Sequence, residues 1–340
     1  MRVAMWYNNN DVRVEEVPTP EIGPGEILIR VQASGICGSD VMEWYRIHKA
    51  PLVLGHEVAG EVVSIGKGVQ KYKTGDRVTV AHHVPCNTCH YCLNGHHSVC
   101  DTLRQTNFYP GGFSEYIRVP SINVDRGVFL LPDEVSFEEG AFTEPLACVV
   151  RGQRLARIQP GQSIFVVGSG MTGLLHIALA RTLGAGRVIA MDTIPYRLEA
   201  AQQFGADTVI SSDDDVPARV REVNNGRLAD QVMLCRGAWL TQALQSVERG
   251  GTVLVFAATR ENVTIPLPVN ELFWRNEITL TSAYAAPPID SAKALELIRS
   301  RRVLVNEMIT HRLSLKETGL GFQLVSKPTE SIKVIIEPNK

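Results

Sequence analysis

Four cysteines stand close together as Cys86-x2-Cys89-x2-Cys92-x7-Cys100. Thiolates are soft ligands, and four in one loop can gather a tetrahedral zinc ion at about 2.3 Å each, leaving no coordination position open. A site closed in this way is structural, holding together a lobe with little core of its own. The intervening Asn87, Thr88, His90, Tyr91, Leu93 and Asn94 include no lysine or arginine, which disfavours a zinc ribbon that grips nucleic acid. With seven cysteines in all, an odd total, metal binding fits better than a disulfide framework.

A second set of potential ligands is dispersed. It comprises Cys37 in Gly35-Ile-Cys-Gly-Ser-Asp40, His56 and Glu57 directly after Gly55, and Glu144 in Phe142-Thr-Glu-Pro-Leu146. Mixed thiolate, imidazole and carboxylate ligands that leave one position for water or substrate are what a catalytic zinc needs. From spacing alone the plainer readings stay open, because a lone cysteine or histidine also serves as a core residue and Glu-Pro also starts helices.

A third constellation is Gly168-Ser-Gly170-Met171-Thr172-Gly173, placed between a strand-like apolar run and a helix-like segment. In that context the first glycine permits a tight turn and the second lets the backbone approach a pyrophosphate. The third allows helix and strand to pack closely, while the helix N-terminus offers free N–H groups to the anion. Asp192, nineteen residues beyond Gly173, ends the next strand-like run. Its carboxylate can accept hydrogen bonds from ribose hydroxyls and would repel a 2′-phosphate, favouring NAD over NADP. Arg197, in the first turn of the following helix, is placed either along the adenine or in solvent.

These residues need elements to carry them. From 163 to 282 short β-branched runs (163–167, 187–191, 208–210, 230–234, 252–256 and 278–282) alternate with helical stretches (171–183, 196–204 and 240–247), a pattern that calls for a parallel sheet covered on both faces. Residues 1–147 instead show strand segments at 26–33, 58–65, 77–81 and 114–119, separated by glycine and proline. This reads as a mainly β region with long loops. The tail from 289 to 340 has one helix at 291–300 and a closing strand at 332–336. It is too short to stand alone and is expected to complete the N-terminal region, leaving 148–288 as the nucleotide-binding domain.

The bulk composition agrees with a globular chain of about two domains: 340 residues, 34 Lys+Arg against 36 Asp+Glu, and 44% hydrophobic. A net charge of −2 supplies no electrostatic footprint for nucleic acid or an acidic membrane. The apolar stretch near Val3–Tyr7 is too short for a signal-peptide core, and the longest one, 163–180, is broken by three glycines and His176. The sequence therefore predicts a cytoplasmic protein without nucleic-acid or membrane partners.

Taken together, the motifs resemble the zinc-dependent medium-chain alcohol dehydrogenases, in the branch of polyol (sorbitol-type) and threonine dehydrogenases. The resemblance runs through Gly35 to Asp40, Gly55-His-Glu57, Gly75-Asp-Arg-Val78, the four-cysteine lobe, Phe137-Glu-Glu-Gly-Ala141, Glu144-Pro-Leu146, Gly168 to Gly173 and Thr310-His-Arg312. It implies an α/β protein: a Rossmann doubly wound parallel sheet domain with a GroES-like, mainly β catalytic domain. It also implies two zinc ions per chain, NAD as cofactor and a homodimer or homotetramer.

Carried over from that resemblance, Cys37 and His56 ligate the catalytic zinc, with Glu144 or Glu57 as the third protein ligand. Asp40 orients the His56 ring, and Ser39 takes the substrate proton. Polyol dehydrogenases often have histidine where this chain has Met42, and methionine cannot relay a proton, so water or His48 is left to do so. The expected reaction is reversible oxidation of a secondary alcohol, a polyol or sugar derivative, to a ketone. Threonine or another hydroxy-amine, or a phosphorylated polyol, is the alternative substrate. A non-catalytic NAD-binding protein on the same fold is the alternative of a different class.

Overall fold

The strand Ile27–Gly35 places Ile27, Ile29, Val31 and Ala33 on one fully buried face, the period of two that a sheet demands, and a whole sheet is built around it. It pairs antiparallel with Glu57–Ile65, Tyr116–Val119 and, at its end, Lys333–Glu337. The strand order is Ile309–Ser314, Lys333–Glu337, Ile27–Gly35, Glu57–Ile65, Arg77–Ala81, Val128–Leu130. Strands from both ends of the chain therefore share one sheet. A smaller sheet joins Asp11–Glu16, Arg2–Asn8 and Leu52–Val53.

The computed structural model describes residues 1–340, which divide into two compact units, 1–147 with 285–340, and 148–284. In the first unit, apolar side chains of Ile27, Ile29, Val58, Val78, Phe108 and Ile117 form one core cluster, and Trp6, Phe113, Phe322 and Val334 belong to another. The chain returns to this unit at Ala285, slightly before the position read from the sequence, and Ala285 packs against the cysteine lobe. Ion pairs bind the C-terminal segment to the helix Phe137–Ala141: Arg312 to Glu138 at 2.6 Å, and Arg301 to Glu139.

In the second unit six parallel strands lie in the order Thr208–Ser211, Arg187–Asp192, Ser163–Val167, Ala229–Leu234, Val247–Val255, Thr279–Ser282. Numbered along the chain, that is 3-2-1-4-5-6, the doubly wound order whose reversal beside the first strand creates a ligand crevice at the strands' carboxyl ends. Every residue of Ser163–Val167 is buried, which is why this run carries no polar alternation.

Candidate active site

Gly35 ends the central strand of the first unit directly opposite Glu57. A methyl group there would stand 2.0 Å from Glu57 Oε2 and 2.7 Å from Lys333 Cε. The absent side chain is the space in which Glu57 and Lys333 form a wholly buried ion pair. Lys333 also donates to the Ile36 carbonyl at 3.2 Å. Glu57 Oε1, by contrast, is buried with no hydrogen-bond partner.

Beyond Gly35 the chain turns around Asp40. Its carboxylate accepts from the Cys37 N–H at 3.0 Å, its own N–H donates to the Cys37 carbonyl at 3.0 Å, and Oδ1 lies 3.3 Å from His56 Nδ1. A carboxylate on Nδ1 fixes the ring and leaves Nε2 as the nitrogen available to a metal. The ligand atoms of Cys37, His56 and Glu57 come within 4.8 Å of one another. Burial alone would lower the pKa of His56, but Asp40 and the Cys37 sulfur outweigh it and hold it well above its ordinary value. Burial likewise opposes ionisation of Asp40, yet His56 and the Cys37 N–H bring its pKa below the usual range. A thiol, an oriented imidazole and an orphaned carboxylate oxygen suit a zinc ion. Ser39 shares this turn, its N–H 3.4 Å from Cys37 Sγ.

Glu144 is not a member of that three-residue group. It starts the helix Thr143–Ala156, and its Oε1 lies 4.0 Å from Nδ1 of His82. His82 and His83 follow the end of the strand Arg77–Ala81 and were not singled out from the sequence, although a His-His pair three residues ahead of Cys86 was a legible signal. The His82 ring sits between those of His56 and His83, with centroids at 4.8 and 3.9 Å. Burial first, then the neighbouring imidazoles and Arg46, pushes the pKa of His82 well down. His83 is pushed down to about 4, mainly by burial. Lys333 was also missed: a lone lysine in an apolar strand is visible, but its partner lies 276 residues away.

The four cysteines of the lobe come together without a disulfide. Sulfur separations are 3.6 Å for Cys89–Cys92, 3.6 Å for Cys86–Cys100 and 3.9 Å for Cys86–Cys92. A tetrahedron with bonds of about 2.3 Å has edges of about 3.8 Å, so the spacing fits a zinc ion. The Thr88 and Cys89 N–H groups point at Cys86 Sγ and lower its pKa to about 5, as expected for a thiolate ligand.

In the second unit, Gly168 turns with φ of 101°, and a methyl group on Gly173 would meet the Gly168 carbonyl at 1.9 Å. Both therefore have to be glycine. Helix Met171–Thr182 begins at Gly170 with no side-chain cap hydrogen bond, so its first N–H groups remain available to a phosphate. Met171 and Thr172 form its first turn. Asp192 is buried and holds the turn: Oδ2 accepts from Ser169 N–H at 2.8 Å, and Oδ1 from Thr193 and Ile194 N–H at 2.8 and 3.1 Å. Its carboxylate is thus a brace for the glycine turn, a role the sequence did not reveal. Arg197 lies alongside, its guanidinium carbon 3.6 Å from where a Cβ of Gly170 would be.

A doubly wound unit with a glycine turn, joined in one chain to a mainly β unit carrying an open thiol–imidazole–carboxylate cluster and a closed four-sulfur lobe, defines a zinc oxidoreductase that uses a nicotinamide dinucleotide. The family profile described as "Alcohol dehydrogenase GroES-like domain" matches residues 23–133, and "Zinc-binding dehydrogenase" matches residues 172–300. The chain belongs to this zinc-binding alcohol dehydrogenase family, as its motifs suggested. It is 33% identical to sorbitol dehydrogenase of Bacillus subtilis, over 100% of this chain and 98% of that one. It is also 33% identical to L-threonine 3-dehydrogenase of Bacillus licheniformis, over 95% and 94%. Among solved structures, a zinc-binding dehydrogenase from Sinorhizobium meliloti bound to NADP superposes with a TM-score of 0.88 at 29% identity, covering 99% of each chain.

Proposed function

We propose that this enzyme reversibly oxidises a secondary alcohol of a polyol or sugar derivative to a ketone, with Cys37, His56 and Glu57 holding the catalytic zinc. The observation that carries the reading is the cluster itself, in which a Glu57 carboxylate oxygen lies within 4.8 Å of the thiol and imidazole ligand atoms and Oε1 is buried without a hydrogen-bond partner. Glu144 is the further carboxylate at this site, an alternative third ligand for the metal. When bound, zinc supplies a Lewis acid that lowers the pKa of an alcohol, and NAD supplies the hydride acceptor.

The chain's own residues orient and move the proton. Asp40 fixes the His56 ring, Lys333 anchors one oxygen of Glu57 while leaving the other free, and Ser39 accepts the alcohol proton and passes it to water or a cofactor hydroxyl. Gly168, Gly170, Gly173 and the helix start at Met171 and Thr172 bind the dinucleotide pyrophosphate, with Asp192 turning preference toward NAD. The sorbitol dehydrogenase relative supports a polyol. The equally identical L-threonine 3-dehydrogenase supports a hydroxy-amine as second reading.

A homodimer or homotetramer fits the unpaired side of the edge strand Thr279–Ser282, with Leu280 and Trp274 exposed. Seven free cysteines fit a reducing cytoplasm, and no helix is long and apolar enough to cross a membrane. Following absorbance at 340 nm while polyols, amino alcohols and simple alcohols are offered with NAD tests the assignment. Turnover of polyols is expected, and turnover of amino alcohols alone would replace it with the second reading.

A further inference from the structure

His82 is the one imidazole at this site that is neither a proposed zinc ligand nor braced through its Nδ1. That nitrogen is buried without a hydrogen-bond partner, an arrangement that costs free energy unless something else completes it. His82 and Glu144 both line a cavity of about 10 Å³, room for one water-sized group, together with residues that include His83, Ala285, Ala286 and Ser291. Across it, Glu144 Oε1 stands 4.0 Å from His82 Nδ1. That is too far for a direct hydrogen bond, but an oxygen about 2.8 Å from each atom bridges the gap with an angle of about 90°.

We propose that His82 and Glu144 together recognise a second hydroxyl of the substrate, neighbouring the one that is oxidised. The chemistry of the two sides is complementary to a hydroxyl in particular. A neutral imidazole donates its Nδ1–H to the hydroxyl oxygen, and the hydroxyl donates its own hydrogen to the carboxylate. A methyl or methylene group in the same place would leave the buried His82 nitrogen unpaired. The ring is held in position by His83, which packs against it at an interplanar angle of 41° and whose own Nδ1 lies 2.8 Å from the Thr106 carbonyl. The inference deepens the polyol assignment and rests on it, turning a general alcohol site into one selective for vicinal diols.

Three alcohols that differ only beside the reacting carbon test it: propane-1,2-diol, propan-2-ol and 1-aminopropan-2-ol, each with the zinc-loaded enzyme and NAD. The diol is expected to exceed propan-2-ol by about tenfold or more in kcat/KM, since a site built to pair a hydroxyl rejects an analogue lacking it. His82→Phe, which keeps the ring and removes the nitrogens, should erase most of that ratio at unchanged zinc content. His82→Asn, whose amide nitrogen can stand in for Nδ1, should retain part of it. Dissociation constants from ligand-observed NMR titration without nicotinamide should show the same ordering of diol over propan-2-ol. No diol preference in the wild-type protein, a ratio untouched by His82→Phe, or a preference for the amine would each overturn the proposal. If none of the three is oxidised, the polyol assignment fails, and the binding ratio alone decides the role of His82.

Discussion

Lys333 and Glu57 form a fully buried ion pair between strands that lie 276 residues apart in sequence. The lysine enters from the C-terminal strand and ties up Oε2 of the carboxylate, leaving Oε1 buried without a hydrogen-bond partner. Breaking such a pair from one side leaves a buried charge without compensation, at a cost of about 3–5 kcal/mol. Lys333→Met should therefore lower the melting temperature by several degrees, measured on metal-free protein by calorimetry. The double variant Lys333→Met/Glu57→Gln should recover much of the loss. Equal destabilisation in the single and double variants would mean that packing, not charge, explains Lys333. Gly35→Ala should be at least as damaging, because its methyl would clash with both Glu57 Oε2 and Lys333 Cε.

The cysteine lobe is joined to the site through Thr106. The hydroxyl of Thr106 accepts from Val84 N–H at 2.9 Å, and its carbonyl lies 2.8 Å from His83 Nδ1. Two equivalents of zinc per chain are expected in protein purified without chelator. Cys37→Ser should lose one and abolish turnover, whereas Cys89→Ser should lose the other and act mainly by raising KM. A full two equivalents in Cys89→Ser would show that the lobe is not a metal site.

The two zinc ions should also differ in pH sensitivity. His56, its pKa held well above the ordinary value, must release a proton before it can bind metal. Occupancy of that site therefore weakens as pH falls, by about tenfold per unit for a single proton. In the lobe, the Cys86 pKa is down near 5 and that of Cys100 is also lowered, while burial pushes Cys92 up to about 12; the lobe is expected to hold its ion longer because four thiolates close every coordination position. Dialysis through a falling pH series, with zinc measured at each step, should empty the catalytic site first. Simultaneous loss of both ions would contradict this order.

Much of the scaffold was legible from local sequence because its signals are local. The buried strand Ser163–Val167 and the glycine turn after it are written in consecutive residues, as is the four-cysteine spacing. Helix Val216–Val223 was not singled out, since its eight residues include three valines and a proline at its second position, and helix propensity there is poor. Strand Ile309–Ser314 lacks a clean alternation because it lies on the sheet edge. Within the site, ligand types were readable but their pairing was not. Nothing local in the sequence says that Glu57 faces Lys333, that Glu144 faces His82, or that Asp192 spends its oxygens on backbone N–H groups.

That last arrangement changes what Asp192 substitutions should do. A carboxylate repelling a 2′-phosphate favours NAD, and comparing kcat/KM for NAD and NADP is expected to show that preference. Asp192→Ala should narrow the gap, but it should also raise KM for both cofactors by about tenfold or more, because three charge-assisted hydrogen bonds are lost, one to Ser169 of the glycine turn and two to Thr193 and Ile194. Arg197→Ala should weaken NADP more than NAD. A native preference for NADP would make Arg197, rather than Asp192, the residue that selects the cofactor.

Oxidation of an alcohol also leaves a proton to be removed, and Ser39 can receive it only if something beyond accepts it in turn. Met42 cannot, and its N–H is already directed to the Ser39 carbonyl at 3.4 Å. His48 sits exposed in the short turn Ile47–Lys49, so a relay through it would have to cross solvent that could take the proton itself. Ser39→Ala should therefore lower kcat substantially, with His48→Gln changing it little and Met42→His tolerated. Each variant is measured at saturating alcohol and NAD, with zinc content as the control. A fall in His48→Gln as large as that in Ser39→Ala, at unchanged zinc, would make His48 the proton acceptor and rule out release from Ser39 to water.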